Sequence, residues 1–252
     1  MNWQKDLELA EKAARKAGHY LKKVQQSPLK IDSADGRDIK LLADKESEKI
    51  IIQTLNAASP YGFLAEESGE HGSLSSGDPI WVVDPLDGTV NFSRGIPLCC
   101  VSIGLWHESQ PILGVVYNFS EEELFSGIVG SGAWCNNQAI SVSNEDLKNK
   151  AILATGFPVN RDFESTSLQG FLYNIRKFKK IRLLGSAALS LAYVACGRVD
   201  AYTEEDIMYW DVAAGIALVN ASGGWVAVEN SSRNKWARNV KCSGNERIFL
   251  EL

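Results

Sequence analysis

Ile80-Trp-Val-Val-Asp-Pro-Leu-Asp-Gly-Thr-Val-Asn-Phe92 is the stretch on which the fold and the chemistry of this chain turn. Its first four residues, Ile80 to Val83, are β-branched or aromatic and run straight into Asp84-Pro85, which predicts a short buried strand stopped by a turn. Proline fixes its own φ and restricts the residue before it, so Asp84 and Asp87 stand on a stiff segment. Two carboxylates at a rigid strand end, with the Leu86 carbonyl between them, offer the oxygen ligands that a hard cation such as Mg²⁺ takes. If Gly88 and Thr89 open a helix, their N–H groups face an anion, and glycine admits a close approach. The pattern describes a cation site beside a phosphate site. It also reads as an ordinary solvated turn, because Asp-Pro and Asp-Gly are common turn dipeptides.

Composition narrows the choice of partners. The 252 residues are 45% apolar and 23% charged, as in a folded globular chain of one large domain or two modest ones. A formal charge of −5 argues against a nucleic-acid binder and leaves a small-molecule or protein partner. No apolar run is long enough to span a bilayer, and the N-terminus is charged and helical in pattern rather than signal-like, so a cytoplasmic location is expected, with no membrane partner.

Cys99, Cys100, Cys135, Cys196 and Cys242 form no CxxC pair and read as small buried hydrophobes. Cys99 and Cys100 are adjacent in a strand pattern and should point to opposite faces. The three histidines, His19, His71 and His107, make no paired metal motif, and P-loop and GxSxG signatures are missing. Carboxylates, hydroxyls and a bound metal are left to carry any chemistry.

Along the chain, Leu7, Ala10, Ala14, Ala17, Leu21 and Val24 mark one face of a helix over 3–25. A strand or hairpin broken at Asp35-Gly36 leads through Asp38 to a second helix over 42–57. Tyr61 to Ala65 reads as a strand delivering Glu66-Glu67-Ser68, an acid pair that by itself is usually just solvated; Gly69 to Gly77 reads as a loop. Leu98–Trp106, Ile112–Tyr117 and Leu124–Val129 predict an antiparallel meander, Gly127 to Gly132 reads as turns, and Ile140 to Ser143 as a further strand. From about residue 150 helices and strands alternate: a strand over 151–155, a helix over 164–177, a basic strand start at 179–182, a helix from Gly185 to about Cys196, and a strand over 199–203 reaching Glu204-Glu205-Asp206. Asp211 then precedes an Ala-rich helix over 212–221, where an acid reads most simply as a plain N-cap. Strands near 225–228 and 240–242 and a short helix close the chain.

Taken together, Glu66-Glu67-Ser68, Trp81-Val-Val-Asp-Pro-Leu-Asp-Gly-Thr89 and Trp210-Asp-Val-Ala-Ala-Gly215 resemble the three signatures of inositol monophosphatases, with lesser matches at Ala154-Thr-Gly-Phe-Pro158 and Gly185-Ser-Ala-Ala188. The resemblance covers essentially the whole chain. It implies an α+β fold, the layered αβαβα sandwich of the sugar phosphatases, as a single domain over 1–252 whose halves meet near 145. It further implies a homodimer with lithium-sensitive, Mg²⁺-dependent hydrolysis of phosphate monoesters and two or three Mg²⁺ per subunit. Carried over, Glu66, Asp84 and the Leu86 carbonyl hold one metal, and Asp84, Asp87 and Asp211 a second. The amides of Gly88 and Thr89 grip phosphate, while Thr89, with Asp38, orients the attacking water that Glu66 helps to activate. Ala187 and Glu204 touch the alcohol, and Asp87 and Asp211 border the substrate. One departure is Leu41, where the family often has a hydroxyl. Val90-Asn91-Phe92 points to an inositol-type monophosphate, and the acids Glu204, Glu205 and Asp206 should repel a second phosphate. Bisphosphate and histidinol-phosphate substrates stay open, as does a non-catalytic sugar-phosphate-binding regulator.

Overall fold

The computed structural model describes residues 3–26, 31–35, 38–72, 77–157 and 165–252, with the backbone alone for 31–35, 38–41 and 165–168. The chain begins with α1 (Gln4–Val24), β1 (Ile31–Asp35), β2 (Asp38–Leu41) and α2 (Leu42–Asn56). Next come β3 (Gly62–Ala65), β4 (Gly69–His71), β5 (Ile80–Asp87) and the short α3 (Thr89–Ser93). The meander follows as β6 (Cys100–His107), β7 (Gln110–Asn118), β8 (Glu123–Ile128), β9 (Gly132–Cys135) and β10 (Gln138–Ile140). Then β11 (Ile152–Thr155), α4 (Ser165–Ile175), β12 (Lys180–Arg182), α5 (Ala187–Ala195) and β13 (Ala201–Met208) alternate. After them come α6 (Tyr209–Ala221), β14 (Trp225–Asn230), β15 (Ala237–Ser243) and α7 (Glu246–Leu250).

Eight strands join in the order β10-β9-β8-β7-β6-β5-β3-β4, antiparallel except where β3 and β5 run parallel. A second sheet has the order β12-β11-β13-β15-β14, parallel on the β11 side and antiparallel toward β14. Side-chain alternation then sets the layers. Trp81, Val83, Val101 and Ile103 pack against α1 and α2 on one face of the large sheet. Val82, Cys100 and Val116 face α5 and α6, which in turn rest on Tyr202 and Cys242 of the second sheet. Ile248 of α7 and Ile175 of α4 cover that sheet's far side against Leu153 and Ala201. The order is αβαβα, as expected. Cys99 and Cys100 do enter opposite cores.

Several local expectations change. β5 does not stop at Pro85: Asp84 opposes Ser102 and Asp87 opposes Cys100, so one extra residue sits in a β-bulge. A proline fits there because it has no N–H to give to a ladder. Gly69 to His71 is not loop but pairs with β3, while residues 73–76 of that expected loop lie outside the described residues. The strand expected over 140–143 ends at Ile140 and is the return of a two-residue hairpin through Asn136-Asn137, both at positive φ (48° and 66°) as such a turn requires. α6 starts at Tyr209, whose N–H reaches the Trp236 carbonyl at 2.9 Å, so Asp211 lies in the first turn and Met208 is the N-cap.

Glycine decides where α6 lies. Gly104, Gly114 and Gly127 are register partners across β6, β7 and β8 and form a trough in the large sheet. A Cβ on Gly114 would run into the Ala214 carbonyl, and one on Gly104 would lie 3.1 Å from the Ala214 nitrogen. The helix therefore rests backbone to backbone on the sheet, and its first turn carries Asp211. Overpacking typically costs 1–3 kcal/mol, so Gly114→Ala is expected to destabilise the protein by about 3 kcal/mol, read as a lower urea midpoint with an unchanged slope. An unaltered midpoint would show that the helix can lift without cost.

Candidate active site

A parallel pair in each sheet, β3–β5 and β11–β13, points its ends at one cleft of about 520 Å³. In the large sheet Ala65 pairs with Val83, so Glu66, just past β3, stands beside Asp84 of β5, and the Glu66 N–H reaches the Val83 carbonyl at 3.1 Å. In the second sheet Thr155 pairs with Thr203, which brings Gly156 beside Glu204. A Cβ at Gly156 would collide with the Glu204 carboxylate, so glycine is what lets that acid into the cleft. Tyr202 donates its hydroxyl proton to Glu204 Oε2 at 2.9 Å.

The bulge shapes the first wall. The Leu86 N–H donates to Asp84 Oδ1 at 2.9 Å, and the Ser47 hydroxyl donates to the Pro85 carbonyl at 2.9 Å. Gly88 is left-handed (φ 88°) and caps α3, and a Cβ there would lie 2.8 Å from the Leu98 carbonyl. Thr89 follows and donates its hydroxyl proton to the Leu86 carbonyl at 3.1 Å. Asp87 turns the other way, toward the start of α5. Its Oδ2 accepts from the Ser186 hydroxyl at 2.6 Å and from the Ala188 N–H at 2.7 Å.

Glu66, Asp84, Leu86, Asp87, Gly88, Thr89, Ala187, Glu204 and Asp211 all line this cleft. Asp38 opens β2, which packs beside α3, but its side chain lies outside the described residues. Glu66 and Asp211, which each had a bland solvated or capping explanation, face the same space as Asp84.

Four further residues hold the site in roles the sequence did not suggest, although Ser186 and Asn91 lie in motifs it brought out. Buried Glu48 accepts the Glu67 N–H at 2.8 Å and the Ser68 hydroxyl, fixing the turn after Glu66. Ser47 and Ser186 make the bonds given above. Asn91 donates to the carbonyls of Leu98 and Leu184, both at 2.8 Å, and so ties α3 to the loop before α5. A signal for two of them was present: Asp44, Ser47, Glu48 and Ile51 share one buried face of α2, three of them polar.

Electrostatics states what the cleft is suited to hold. Burial, with Glu66, Asp87 and Asp211 nearby, holds the Asp84 carboxyl well above its ordinary range. Burial likewise raises Asp211, helped by Asp87, Glu66 and Glu204. Asp87 is pushed by burial to about 6, against the pull of Ser186 and the α5 amides. Buried like charges gathered in one cleft call for a counter-cation, and a donor set made only of oxygens suits a hard divalent one. Among the described residues no three or more His, Cys, Asp or Glu side chains stand close enough together to hold a metal ion.

Known proteins resemble this one along nearly the full chain. The model of the inositol monophosphatase family matches residues 2–246. The inositol-1-monophosphatase of a Synechocystis species is 40% identical over 253 aligned positions, covering 98% of this chain and 86% of that protein. The Nus factor SuhB of Xylella fastidiosa is 42% identical over 219 residues, covering 85% and 78%. The crystal structure of the extragenic suppressor protein suhB of Bartonella henselae superposes with a TM-score of 0.88 at 37% identity, covering 98% of this chain and 96% of that one. With both the strand-end acids and the chain-long match in hand, this protein belongs to the inositol monophosphatase family.

Proposed function

We propose that the protein is a Mg²⁺-dependent phosphomonoesterase that hydrolyses inositol 1-phosphate or a related polyol or sugar monophosphate. The observation carrying this reading is the meeting of Glu66, Asp84, Asp87 and Asp211 with the Leu86 carbonyl, Gly88 and Thr89 in one cleft. In this reading Glu66, Asp84 and the Leu86 carbonyl hold one Mg²⁺, and Asp84, Asp87 and Asp211 hold a second. When bound, the metals supply a water of lowered pKa and neutralise charge on the phosphate and the departing alkoxide.

The protein's own groups do the positioning. The amides of Gly88 and Thr89 take phosphate oxygens, which the left-handed Gly88 leaves room for. Thr89 gives its hydroxyl proton to the Leu86 carbonyl, so its lone pairs are left to accept from the attacking water, with Asp38 as second acceptor and Glu66 beside them. Asp87 is clamped through one oxygen by Ser186 and Ala188 and offers the other to the cleft. Ala187 and Glu204 meet the alcohol, with Asp87 and Asp211 bordering it. Because both halves of the chain contribute, the protein acts as one domain, and the same reading takes it as a lithium-sensitive cytoplasmic homodimer. Among the described residues no helix is long and apolar enough to cross a membrane. A second reading, a non-catalytic regulator, is favoured by one observation: a relative this similar bears the name Nus factor.

Phosphate release across a panel of inositol 1-phosphate, fructose 1,6-bisphosphate, histidinol phosphate and a nucleoside 3′,5′-bisphosphate separates these readings. Mg²⁺-dependent turnover fastest on the inositol ester is expected, and no turnover on any of them leaves the regulator. Asp87→Asn is expected to cut turnover at least about 10³-fold while keeping the native circular dichroism, since several kcal/mol of metal-borne charge stabilisation is lost. Full Mg²⁺-dependent activity in that variant would remove Asp87 from the site.

Stability carries an independent sign. Asp87 rises from 3.8 to about 6 on folding, so between those values the folded state binds more protons and stability falls as pH rises. The rise corresponds to about 3 kcal/mol, nearly absent at about pH 3 and fully felt by pH 7. Thermal unfolding in EDTA should therefore find Asp87→Asn more stable than wild type at pH 7 and nearly equal to it at about pH 3, with Mg²⁺ narrowing the difference. A gap that stays constant across that range would contradict it.

A further inference from the structure

The side of the cleft beyond Ala187 is built by a second bulge. β13 and β15 slip register so that Glu204 opposes Val240 and Ile207 opposes Arg238. Asp206 sits in that step with a left-handed backbone, φ 58°, which a non-glycine residue keeps only when its surroundings enforce it. They do. Its N–H donates to Asn239 Oδ1 at 3.0 Å, the Ser231 hydroxyl donates to its Oδ1, and Arg233 Nε lies 3.1 Å from its Oδ2. Lys235 on the same β14–β15 connection is bonded to Glu70 of β4 at 2.6 Å, which ties that connection to the large sheet. Asp206, Arg233 and Asn234 line the cleft together with Phe157 and Glu204.

This arrangement alters the wall that the sequence suggested. Glu204, Glu205 and Asp206 looked like a uniformly acidic surface, yet Asp206 is matched by a guanidinium. A carboxylate and a guanidinium side by side present acceptors and donors at fixed spacing, with little net charge. A hydroxyl both donates and accepts, so two neighbouring hydroxyls fit such a pair. A second phosphate does not, because Glu204 stands two residues away and opposes it.

We propose that Arg233, held by Asp206, is a specificity-determining residue that donates to one hydroxyl of the substrate's alcohol half while Asp206 accepts from the adjacent one. The ligand class is a cyclic polyol monophosphate with vicinal hydroxyls, and the assignment rests on the phosphatase reading above. Arginine matters here for its planar fork, which lysine reproduces only as a point charge.

The test is steady-state kinetics with Mg²⁺ on myo-inositol 1-phosphate and on 4-nitrophenyl phosphate, which has no alcohol hydroxyls. Arg233→Ala should lower the ratio of the two kcat/KM values about tenfold, chiefly through a higher KM for the inositol ester, as expected when a site's polar groups lose their hydroxyl partners. Asp206→Asn should shift the ratio the same way, and Arg233→Lys should recover part of it. Thermal unfolding of each variant checks that the fold is kept. A ratio that stays put, whether both substrates weaken together or neither does, overturns the assignment and leaves the phosphatase reading standing. A wild type that prefers fructose 1,6-bisphosphate and loses that preference in Arg233→Ala also overturns it, since the guanidinium would then read a second phosphate. If the wild type releases phosphate from neither ester, the underlying phosphatase reading falls first.

Discussion

Mutual repulsion among acids that the fold forces together is the constraint on which the rest of this molecule depends. Asp84 and Asp87 are buried, and Glu66 and Asp211 face the same space. Each carboxylate would be more comfortable in water, and burial beside its acidic neighbours holds the Asp84 carboxyl well above its ordinary range. Such a cluster persists only if the surrounding structure over-determines it. The Leu86 amide on Asp84, and Ser186 with the start of α5 on Asp87, are the local means. Both orient an oxygen while relieving part of the cost of burying its charge.

The larger architecture supplies rigidity on a different scale. A parallel strand pair in each sheet ends at the same cleft, which is how distant segments deliver side chains to one place. Between the sheets lie α5 and α6, packed closely enough that a Cβ on Gly215 would strike Leu191. Because α6 also rests on the glycine trough of the large sheet, a shift of one layer moves Asp211 relative to Asp84. The placement of the acids is thus a property of the packing of whole layers, not of the loops that carry them.

Much of this was legible in the sequence, and the reasons differ from residue to residue. Ile80 to Val83 reads as a strand because both faces are covered, so nothing polar interrupts it. Asp84 and Asp87 stood out because two acids flank a stiffened segment. Glu66 and Asp211 did not stand out alone; only resemblance to a family gathered them, since solvated and capping roles explain single acids equally well. The bulge at Pro85 and the start of α6 at Tyr209 depend on partners far along the chain, Ser102 and Trp236, which local propensity does not see. Glu48 was hidden for a related reason: its two bonds go to a turn that only the folded sheet brings near.

The two bulges offer the last step of this synthesis. One lies in β5 between Asp84 and Asp87, the other in β13 between Glu204 and Ile207, and both border the cleft. A regular strand sends successive side chains to opposite faces, so it cannot aim several at one ligand. Adding a residue breaks that alternation locally and turns acids toward the cleft while the strand keeps its place in the sheet. In β5 the result is a pair of acids beside the left-handed Gly88; in β13 it is Glu204 and an Asp206 matched by Arg233. The same backbone device at both ends of the cleft gives one end a strong demand for cations and the other a nearly balanced donor and acceptor pair. That division suits a substrate charged at one end and neutral at the other.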